Sequence, residues 1–306
     1  MLRRVDDFAR LGRAAYQRYE PVHAVVYFEP AIAEAFAAAG VTGFWRVYFA
    51  ARCAPLGAVG AGPVAAMFHG FALPMVARAL PDVWTRITPD DAWRVRSDVC
   101  SAVLRGLFAG PHVPGCDEHR SSLTTQPGSP DVVREVAALL QDAVAGAPIE
   151  GRPLGAANAQ LPMPDDPVAA LWQSATTLRE LRGDGHVLAM TYAGLDGVEG
   201  HVLRDAVQGS RSFTQRFRGW TDEQWDAGVD RLRARALIDG DGRATAEGRA
   251  LRDAIEADTD RLAAGPWRAL GEDRTRRVIE LLTPLARAAF AVLPVDNPIG
   301  ELPFPS

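Results

Sequence analysis

Apolar residues recur at spacings of three and four along most of the sequence, and this helical period constrains the fold more than any other feature. Prolines and glycines mark the boundaries: Thr88 is a predicted N-cap before Pro89, and Gly183 is expected to end a helix. Strand-like alternation is confined to a short segment around 237–245. The sequence therefore predicts a mainly α fold, with helices at 4–18, 29–39, 43–53, 64–80, 89–108, 130–145, 167–182, 195–207, 212–218 and 272–293.

Two stretches rich in proline interrupt this pattern, at 110–129 and 147–166. A chain of 306 residues has room for two domains of ordinary size. We therefore expect a helical domain followed by a helix-turn-helix domain. The predicted boundaries are 1–146 for the helical domain, 147–190 for a linker and connecting helix, 191–293 for the second domain with its C-terminal helix, and 294–306 for a tail.

The charged residues exclude several classes of mechanism. The formal net charge is −5, and every basic residue is arginine, which excludes Schiff-base and P-loop chemistry that depends on lysine. The sequence contains no GxGxxG, GxSxG or HExxH motif, so we predict no cofactor and no metal. Because the N-terminus has acids where an export signal needs an apolar core, and the cysteines show no paired spacing, a cytoplasmic protein is expected.

One uncharged stretch, 54–77, is long enough to span a bilayer. It contains Pro55, Pro63 and Pro74, together with several glycines and His69. So many helix breakers favour a buried turn followed by a core helix, and we predict no membrane association.

The most specific pattern lies between 191 and 262. Thr221 and Gln224 form a predicted capping box, which opens a helix with an apolar seam. Asp239-Gly-Asp-Gly242 is a predicted tight turn between two short strands, and a further helix begins near Ala246. The seam consists of Trp225, Val229, Leu232 and Ala236.

The run DRLRARALIDGDGRATAEGRALRDAIEADTDRL resembles the recognition helix, wing and following helix of MarR-type regulators. The whole chain is also similar to an actinobacterial family of helical proteins that carry an appended winged helix and have no settled function. This resemblance implies a winged helix-turn-helix with a short two-stranded wing. It implies a fold and no particular reaction.

The charges of this helix disfavour contact with DNA. A recognition helix needs cationic or amide side chains toward the bases, especially in its first turns. From Thr221 to Asp239 the segment carries five acids and three arginines, for a net charge of −2. If the alternative of DNA binding holds, the cationic residues available for it are Arg211, Arg216, Arg218 and Arg243.

Candidate chemistry lies in the segment Arg179 to His186. Gly183 and Gly185 are expected to turn the backbone sharply and bring Asp184 and His186 together as a catalytic pair. The alternative is structural: Gly183 ends one helix, Asp184 caps the next, and His186 packs in its first turn.

A second candidate region is the aromatic segment 44–71, where prolines and glycines lie beside arginine, as in an apolar pocket with a few polar anchors. His69 is alternatively a hydrogen-bonded core residue. The loop cluster of His112, Cys116, Asp117, Glu118 and His119 is predicted to be a surface feature and not a metal site. The predicted ligand-binding residues are Arg46, Tyr48, Arg52, Phe68, His69, Trp172, Arg179, Arg182 and His201.

Three functional hypotheses remain. The first is a small-molecule-binding protein, or an enzyme of specialised metabolism, whose winged helix is repurposed away from DNA; whether it catalyses a reaction stays open. The second is a MarR-like, ligand-responsive transcriptional regulator. The third is a homodimer that pairs through the helix at 272–293.

Overall fold

The computed structural model describes residues 2–110, 128–209 and 211–294, and this part of the chain is mainly α-helical. Two short 3-10 turns, Ala54–Leu56 and Asp82–Thr85, complete the regular structure. The helices are α1 (Leu2–Phe28), α2 (Pro30–Ala38), α3 (Phe44–Cys53), α4 (Ala61–Phe68), α5 (Leu73–Ala77), α6 (Pro89–Ala109), α7 (Pro130–Ala145), α8 (Pro153–Ala159), α9 (Pro167–Tyr192), α10 (Gly197–Gln208), α11 (Arg211–Arg218), α12 (Asp222–Ala234), α13 (Ala246–Leu262), α14 (Gly265–Leu270) and α15 (Glu272–Phe290).

The predicted caps form as their residue types require. Thr88 accepts a hydrogen bond from the backbone N–H of Asp91 at 3.1 Å at the start of α6. At the start of α12, Thr221 and Gln224 exchange both bonds of the capping box, at 3.0 and 3.2 Å. Such local patterns were predictable because both partners lie within one turn of the chain.

Three helix predictions were wrong. Helix α1 continues through Pro21 to Phe28, ten residues past the predicted end, because Tyr19, Val22 and Val25 are buried there. The helix predicted at 64–80 is broken into α4 and α5 at His69. Helix α8 was missed, since the sequence around it looks like a loop.

The stop predicted at Gly183 was also wrong, because α9 continues to Tyr192. Each interior glycine costs a helix roughly 1 kcal/mol. Helix α9 is buried on nearly every side, against α1, α6, α7, α8 and α13, and this packing outweighs that cost. The sharp turn expected at Gly183 and Gly185 is therefore absent from this helix.

Two hydrophobic clusters organise the described residues. The larger cluster is built around α1, α9 and α15, and it includes Trp172 and Trp267. The smaller one lies among α10, α12 and α13, around Trp225. Helices α14 and α15 pack against α1 and α7 in the larger cluster, and the predicted domain boundaries remain predictions.

The segment predicted to form a wing is a tight turn with a single antiparallel bridge, between Ile238 and Ala244. The Asp239 carboxylate accepts hydrogen bonds from the backbone N–H groups of Asp241 and Arg243, at 3.0 and 2.8 Å. These bonds give two backbone N–H groups of the turn a partner inside the turn itself. No strand forms within the described ranges. The predicted turn is thus present without the predicted pair of strands.

Across the described ranges, no helix combines the length and the apolar character that crossing a membrane requires. The uncharged stretch 54–77 instead contains α4, α5 and the 3-10 turn before them.

We expect Gly155→Ala to destabilise the protein, since a Cβ there would lie 2.9 Å from the backbone Cα of Leu181 where α8 crosses α9. Overpacking of this kind costs about 1–3 kcal/mol. Gly106→Ala is the matched control, because its Cβ would meet no atom within 4 Å on an exposed part of α6, so a gain of about 0.5–1 kcal/mol is expected. Urea unfolding measures both, and equal effects would contradict the close approach of α8 and α9.

Candidate ligand-binding cavity

A strained turn follows α4. The N–H of Gly70 donates to the carbonyl of Phe68 at 2.5 Å, and His69 between them has φ 49° and ψ −57°. These values describe a γ-turn of the rare positive-φ kind, which costs a residue with a side chain of order 1–3 kcal/mol. Contacts elsewhere in the protein must therefore hold His69 in this conformation.

Those contacts come from α10, from the end of α11 and from the turn that follows α11. The carbonyl of Gly70 accepts hydrogen bonds from Nε2 of His201 at 3.0 Å and from Nε1 of Trp220 at 2.9 Å. Two residues on, the N–H of Ala72 donates to the carbonyl of Arg218 at 2.9 Å. Helix α10 and the residues at the end of α11 and just after it are thus fastened to the segment after α4.

His69 itself makes further contacts, with the residues just before α10 and at its start. Its Nε2 lies 3.2 Å from the carbonyl oxygen of Leu195, and its own carbonyl presses on Gly197 at the start of α10. A Cβ at position 197 would lie 2.1 Å from that oxygen, so the approach requires glycine.

Beside the contacts between His69, Gly70 and α10 lies a cavity of about 250 Å³. The aromatic segment α3–α4 forms one wall, and α9, α10, α11 and α13 form the others. Apolar side chains make up much of the surface, including Tyr48, Met67, Phe68, Phe71, Val187, Met190, Leu195, Leu203 and Ile255. Charged and imidazole side chains also line it: Arg52, Arg179, Arg204, Arg218, Arg252, Asp184, Glu256, His69, His186 and His201.

Two of the arginines share one buried carboxylate. Arg52 donates from Nε and Nη2 to the two oxygens of Glu180, each at 2.8 Å, and Nη1 donates to the Tyr48 hydroxyl at 2.7 Å. Arg179 donates to the same carboxylate at 3.0 Å and lies 3.5 Å from Glu20. Burial alone would raise the pKa of Glu180, but Arg52 and Arg179 hold it below its usual range.

The imidazoles are neutral. Burial, reinforced by the charge of Arg218, lowers the pKa of His201 to about 3. Burial likewise lowers the pKa of His186, whose Nδ1 lies 2.9 Å from the hydroxyl oxygen of Thr259. That hydroxyl donates to the carbonyl of Ile255, so Nδ1 of His186 carries the proton and Nε2 is left as an acceptor.

Asp184 has a raised proton affinity. Its Oδ2 accepts a hydrogen bond from the N–H of Gly155 at 2.8 Å, and the side chain lines the cavity. Burial raises the pKa of Asp184 to about 6, and the bond from Gly155 opposes the shift. Residues two apart on a helix do not face each other, so Asp184 and His186 lie on the same cavity wall without the close pairing that the sequence suggested.

The cavity gathers eight of the side chains that the sequence singled out: Tyr48, Arg52, Phe68, His69, Arg179, Asp184, His186 and His201. Three others lie elsewhere. Arg46 is exposed on α3, and Trp172 is a core residue beneath the guanidinium of Arg96. Arg182 lies over the ring of Tyr16 and pairs with Asp260 at 2.7 Å.

Sequence reasoning missed Arg204 and Arg252 and assigned Arg218 to DNA. No local pattern marks these residues, because they come from three different helices and meet only in the folded chain. The cluster from His112 to His119 lies outside the described residues. Within the described part of the chain, no group of three or more His, Cys, Asp or Glu side chains is placed to hold a metal.

The outer face of α12 is exposed and acidic. Asp222, Glu223, Asp226 and Asp230 all point to solvent. Arg211 donates to Asp222 and Asp226 at 3.4 and 3.1 Å, and Arg233 lies 3.7 Å from Asp230. These contacts neutralise part of the acidic charge and occupy arginines that DNA binding would need.

The arginines of the same segment are also engaged. Arg231 pairs with Asp196 and Glu199 at 2.6 and 2.8 Å. Arg233 donates to the carbonyls of Asp239 and Gly240 in the turn after α12, and Arg235 donates to the carbonyls of Ala193 and Gly194 just after α9. Of the four residues predicted for DNA contact, Arg216 and Arg243 are the exposed ones.

One comparison with known proteins gives a match: a family model described as a helix-turn-helix family matches residues 12–294. No curated protein and no solved structure matches the chain. The MarR type and the actinobacterial family remain predictions.

We expect Asp184→Asn to change how stability depends on pH. The carboxyl releases its proton near pH 3.8 in the unfolded chain and near 6 in the folded one, so its contribution to stability falls as the pH rises between those values. Asparagine keeps an acceptor for the Gly155 N–H but cannot ionise. The variant should gain about 2–3 kcal/mol relative to the parent between pH 4 and pH 7, measured by urea unfolding. A constant difference across this range would contradict the raised pKa.

Proposed function

The chain belongs to a helix-turn-helix family, and from this premise we propose that it is a small-molecule-binding protein whose helix-turn-helix unit forms a wall of the ligand site and does not read DNA. The observation that carries the proposal is the cavity itself. Neutral imidazoles, arginines and aromatic rings converge there on a space of about 250 Å³, close to the lower end of pockets that hold small organic ligands, about 300 Å³.

The charge of α12 supports the second half of the proposal. Acids occupy its exposed first turns, where a recognition helix would approach phosphates, and its arginines are held by carboxylates and carbonyls of the protein. Helix α11, with Arg218 at its end, lines the cavity, so the unit has a structural reason to be retained without DNA contact.

An enzyme of specialised metabolism is the catalytic form of this proposal. Asp184 and the neutral His186 both line the cavity, and a carboxyl group with a pKa of about 6, as in Asp184, transfers protons efficiently near neutral pH. We expect a cytoplasmic location from the cysteine pattern.

The second candidate is a ligand-responsive regulator of MarR-like type. The family match and the exposure of α12 favour it, because a helix that reads DNA must be accessible. A ligand between α3–α4 and the helix-turn-helix would change how that unit is held. Pairing of two copies also stays a proposal; the apolar face of α15 is buried against α1, so a dimer would need another surface.

Filling the cavity tests ligand binding. Gly183 lies on its wall within α9, and an added Cβ would meet its nearest atoms at an ordinary 3.7 Å. Gly183→Leu should therefore fold and project into the cavity, while Gly183→Ala is the matched control. Fluorine NMR with fluorinated aromatic fragments of mixed charge should show hits that Gly183→Ala retains and Gly183→Leu loses by tenfold or more.

Val187→Phe, from the same wall, is the second occluding variant if Gly183→Leu does not unfold cooperatively. Hits that survive both occluding variants, or no hits at all, would refute the proposed function.

Binding to DNA separates the two candidates. We expect no saturable binding of a fluorescent duplex from the protein's own upstream region, even at low salt, where phosphate contacts are strongest. The regulator candidate predicts binding that falls steeply with salt and weakens in Arg216→Gln and Arg243→Gln, but not in Arg46→Gln, a control that removes an equal charge from an exposed site on α3. Fluorescence anisotropy across a salt series measures both.

A further inference from the structure

The described part of the chain contains four histidines, and their hydrogen bonds divide them into two kinds. His23 is in the core, where Nδ1 lies 3.0 Å from the hydroxyl oxygen of Thr176 and Nε2 lies 2.8 Å from that of Tyr27. The other three line the cavity: His69, His186 and His201. Within the described residues, each of these three has a partner for one ring nitrogen only. The cavity therefore leaves imidazole nitrogens open, whereas the core does not.

The nitrogen that has a partner is a donor in each of the three rings. Nε2 of His201 donates to the carbonyl of Gly70 at 3.0 Å, and Nε2 of His69 donates to that of Leu195 at 3.2 Å. Because a carbonyl oxygen only accepts, these two nitrogens carry the proton. In His186 the proton lies on Nδ1. The remaining nitrogen of each ring is therefore an acceptor.

Burial keeps these rings neutral, so the acceptor nitrogens stay unprotonated. Burial lowers the pKa of His69 and of His186, and it lowers that of His201 to about 3. Nearby positive charge acts in the same direction, from Arg218 on His201 and from Arg252 on His186. At neutral pH each ring thus offers a hydrogen-bond acceptor and no second donor.

Two of the three acceptors are the ones that a ligand can reach. Nδ1 of His69 is buried, and it has no hydrogen-bond partner within the described chain. His186 on α9 and His201 on α10 are only partly buried, so a ligand between these helices can be held from two sides. No group of three or more metal-ligating side chains in the described ranges is placed to hold a metal, so a hydrogen-bond donor fits these nitrogens better than a cation does.

Aromatic rings form another part of the lining. Phe71 lies 5.7 Å from Tyr48 and 6.1 Å from Phe68, measured between ring centroids. All three rings line the cavity, and together they form an apolar surface on which a flat ring could stack. A volume of about 250 Å³ has room for one or two fused rings.

From these observations, and on the premise of the proposed function, we infer that the ligand is a small aromatic molecule that donates hydrogen bonds to Nε2 of His186 and Nδ1 of His201. Its donors are hydroxyl or ring N–H groups, and its ring packs against Tyr48, Phe68 and Phe71. A molecule of the same shape without donors leaves both acceptors unpaired. The site should therefore discriminate strongly against it.

The experiment uses two pairs of probes matched in shape. Indole donates from a ring N–H and is paired with benzothiophene; 2-naphthol donates from a hydroxyl group and is paired with 2-fluoronaphthalene. In ligand-observed NMR titrations of the full-length protein, at least one donor should bind about tenfold or more tightly than its partner. The two pairs show which kind of donor the site prefers. Gly183→Leu should abolish this binding and Gly183→Ala should retain it, which places the probes in the cavity.

Variants of His186 test the acceptor directly. Asparagine has an amide N–H near the position of Nδ1, so His186→Asn keeps the bond to Thr259 and removes the acceptor at Nε2. It should weaken the donor about tenfold and leave benzothiophene unchanged. His186→Gln is the matched control, because its amide reaches the position of Nε2 and should restore part of the lost affinity.

His201→Gln is the corresponding variant on α10. Its amide N–H can still donate to the carbonyl of Gly70, but the acceptor at Nδ1 is lost. The same selective loss of donor binding is expected. Circular dichroism melts verify that the variants fold, and if one does not, the comparison of matched probes on the parent protein decides.

Equal affinity of both donors and their matched partners in the cavity would overturn the inference while leaving the proposed function intact. Unchanged donor binding in both His186→Asn and His201→Gln, or an equal loss for benzothiophene, would overturn it too. Cavity-dependent fragment hits with no binding of any of these probes would have the same consequence. Failure of the fragments themselves would instead refute the proposed function.

Discussion

The structure depends on how α9 keeps charge inside the protein. This helix passes through the larger cluster and is buried on nearly every side, yet it carries Arg179, Glu180 and Asp184 there. A buried carboxylate is tolerated only when cations and hydrogen bonds replace water. Arg52 reaches Glu180 from α3 with two bonds, which fixes the aromatic segment against α9 and sets one wall of the cavity.

The other wall depends on a backbone conformation that the chain would not adopt alone. His69 is strained, and the carbonyl of Gly70 accepts hydrogen bonds from His201 on α10 and from Trp220 between α11 and α12. Strain of this size persists where surrounding contacts over-determine it. The cavity, the strained turn and the segment from α10 to α12 are therefore parts of one assembly, in which a change in one part alters the others.

Local sequence rules predicted well wherever both partners of an interaction lie within one turn. Thr88 and Thr221 cap their helices as predicted, and Asp239 closes its turn. The same rules failed at Gly183, where burial around the helix outweighs the cost of glycine, and at His69, where a helical pattern conceals a break. Both failures border the cavity, because there the long-range contacts dominate local preference.

The sequence by itself determined that the chain is mainly helical, that the segment from Thr221 to Asp239 carries a net negative charge, and that lysine chemistry is excluded. It also selected most of the side chains that line one wall of the cavity. Tertiary structure alone decided that Arg204, Arg218 and Arg252 face those side chains across one space. The physical reason is distance along the chain: periodicity and capping act over a few residues, whereas a binding site requires groups from separate helices to meet.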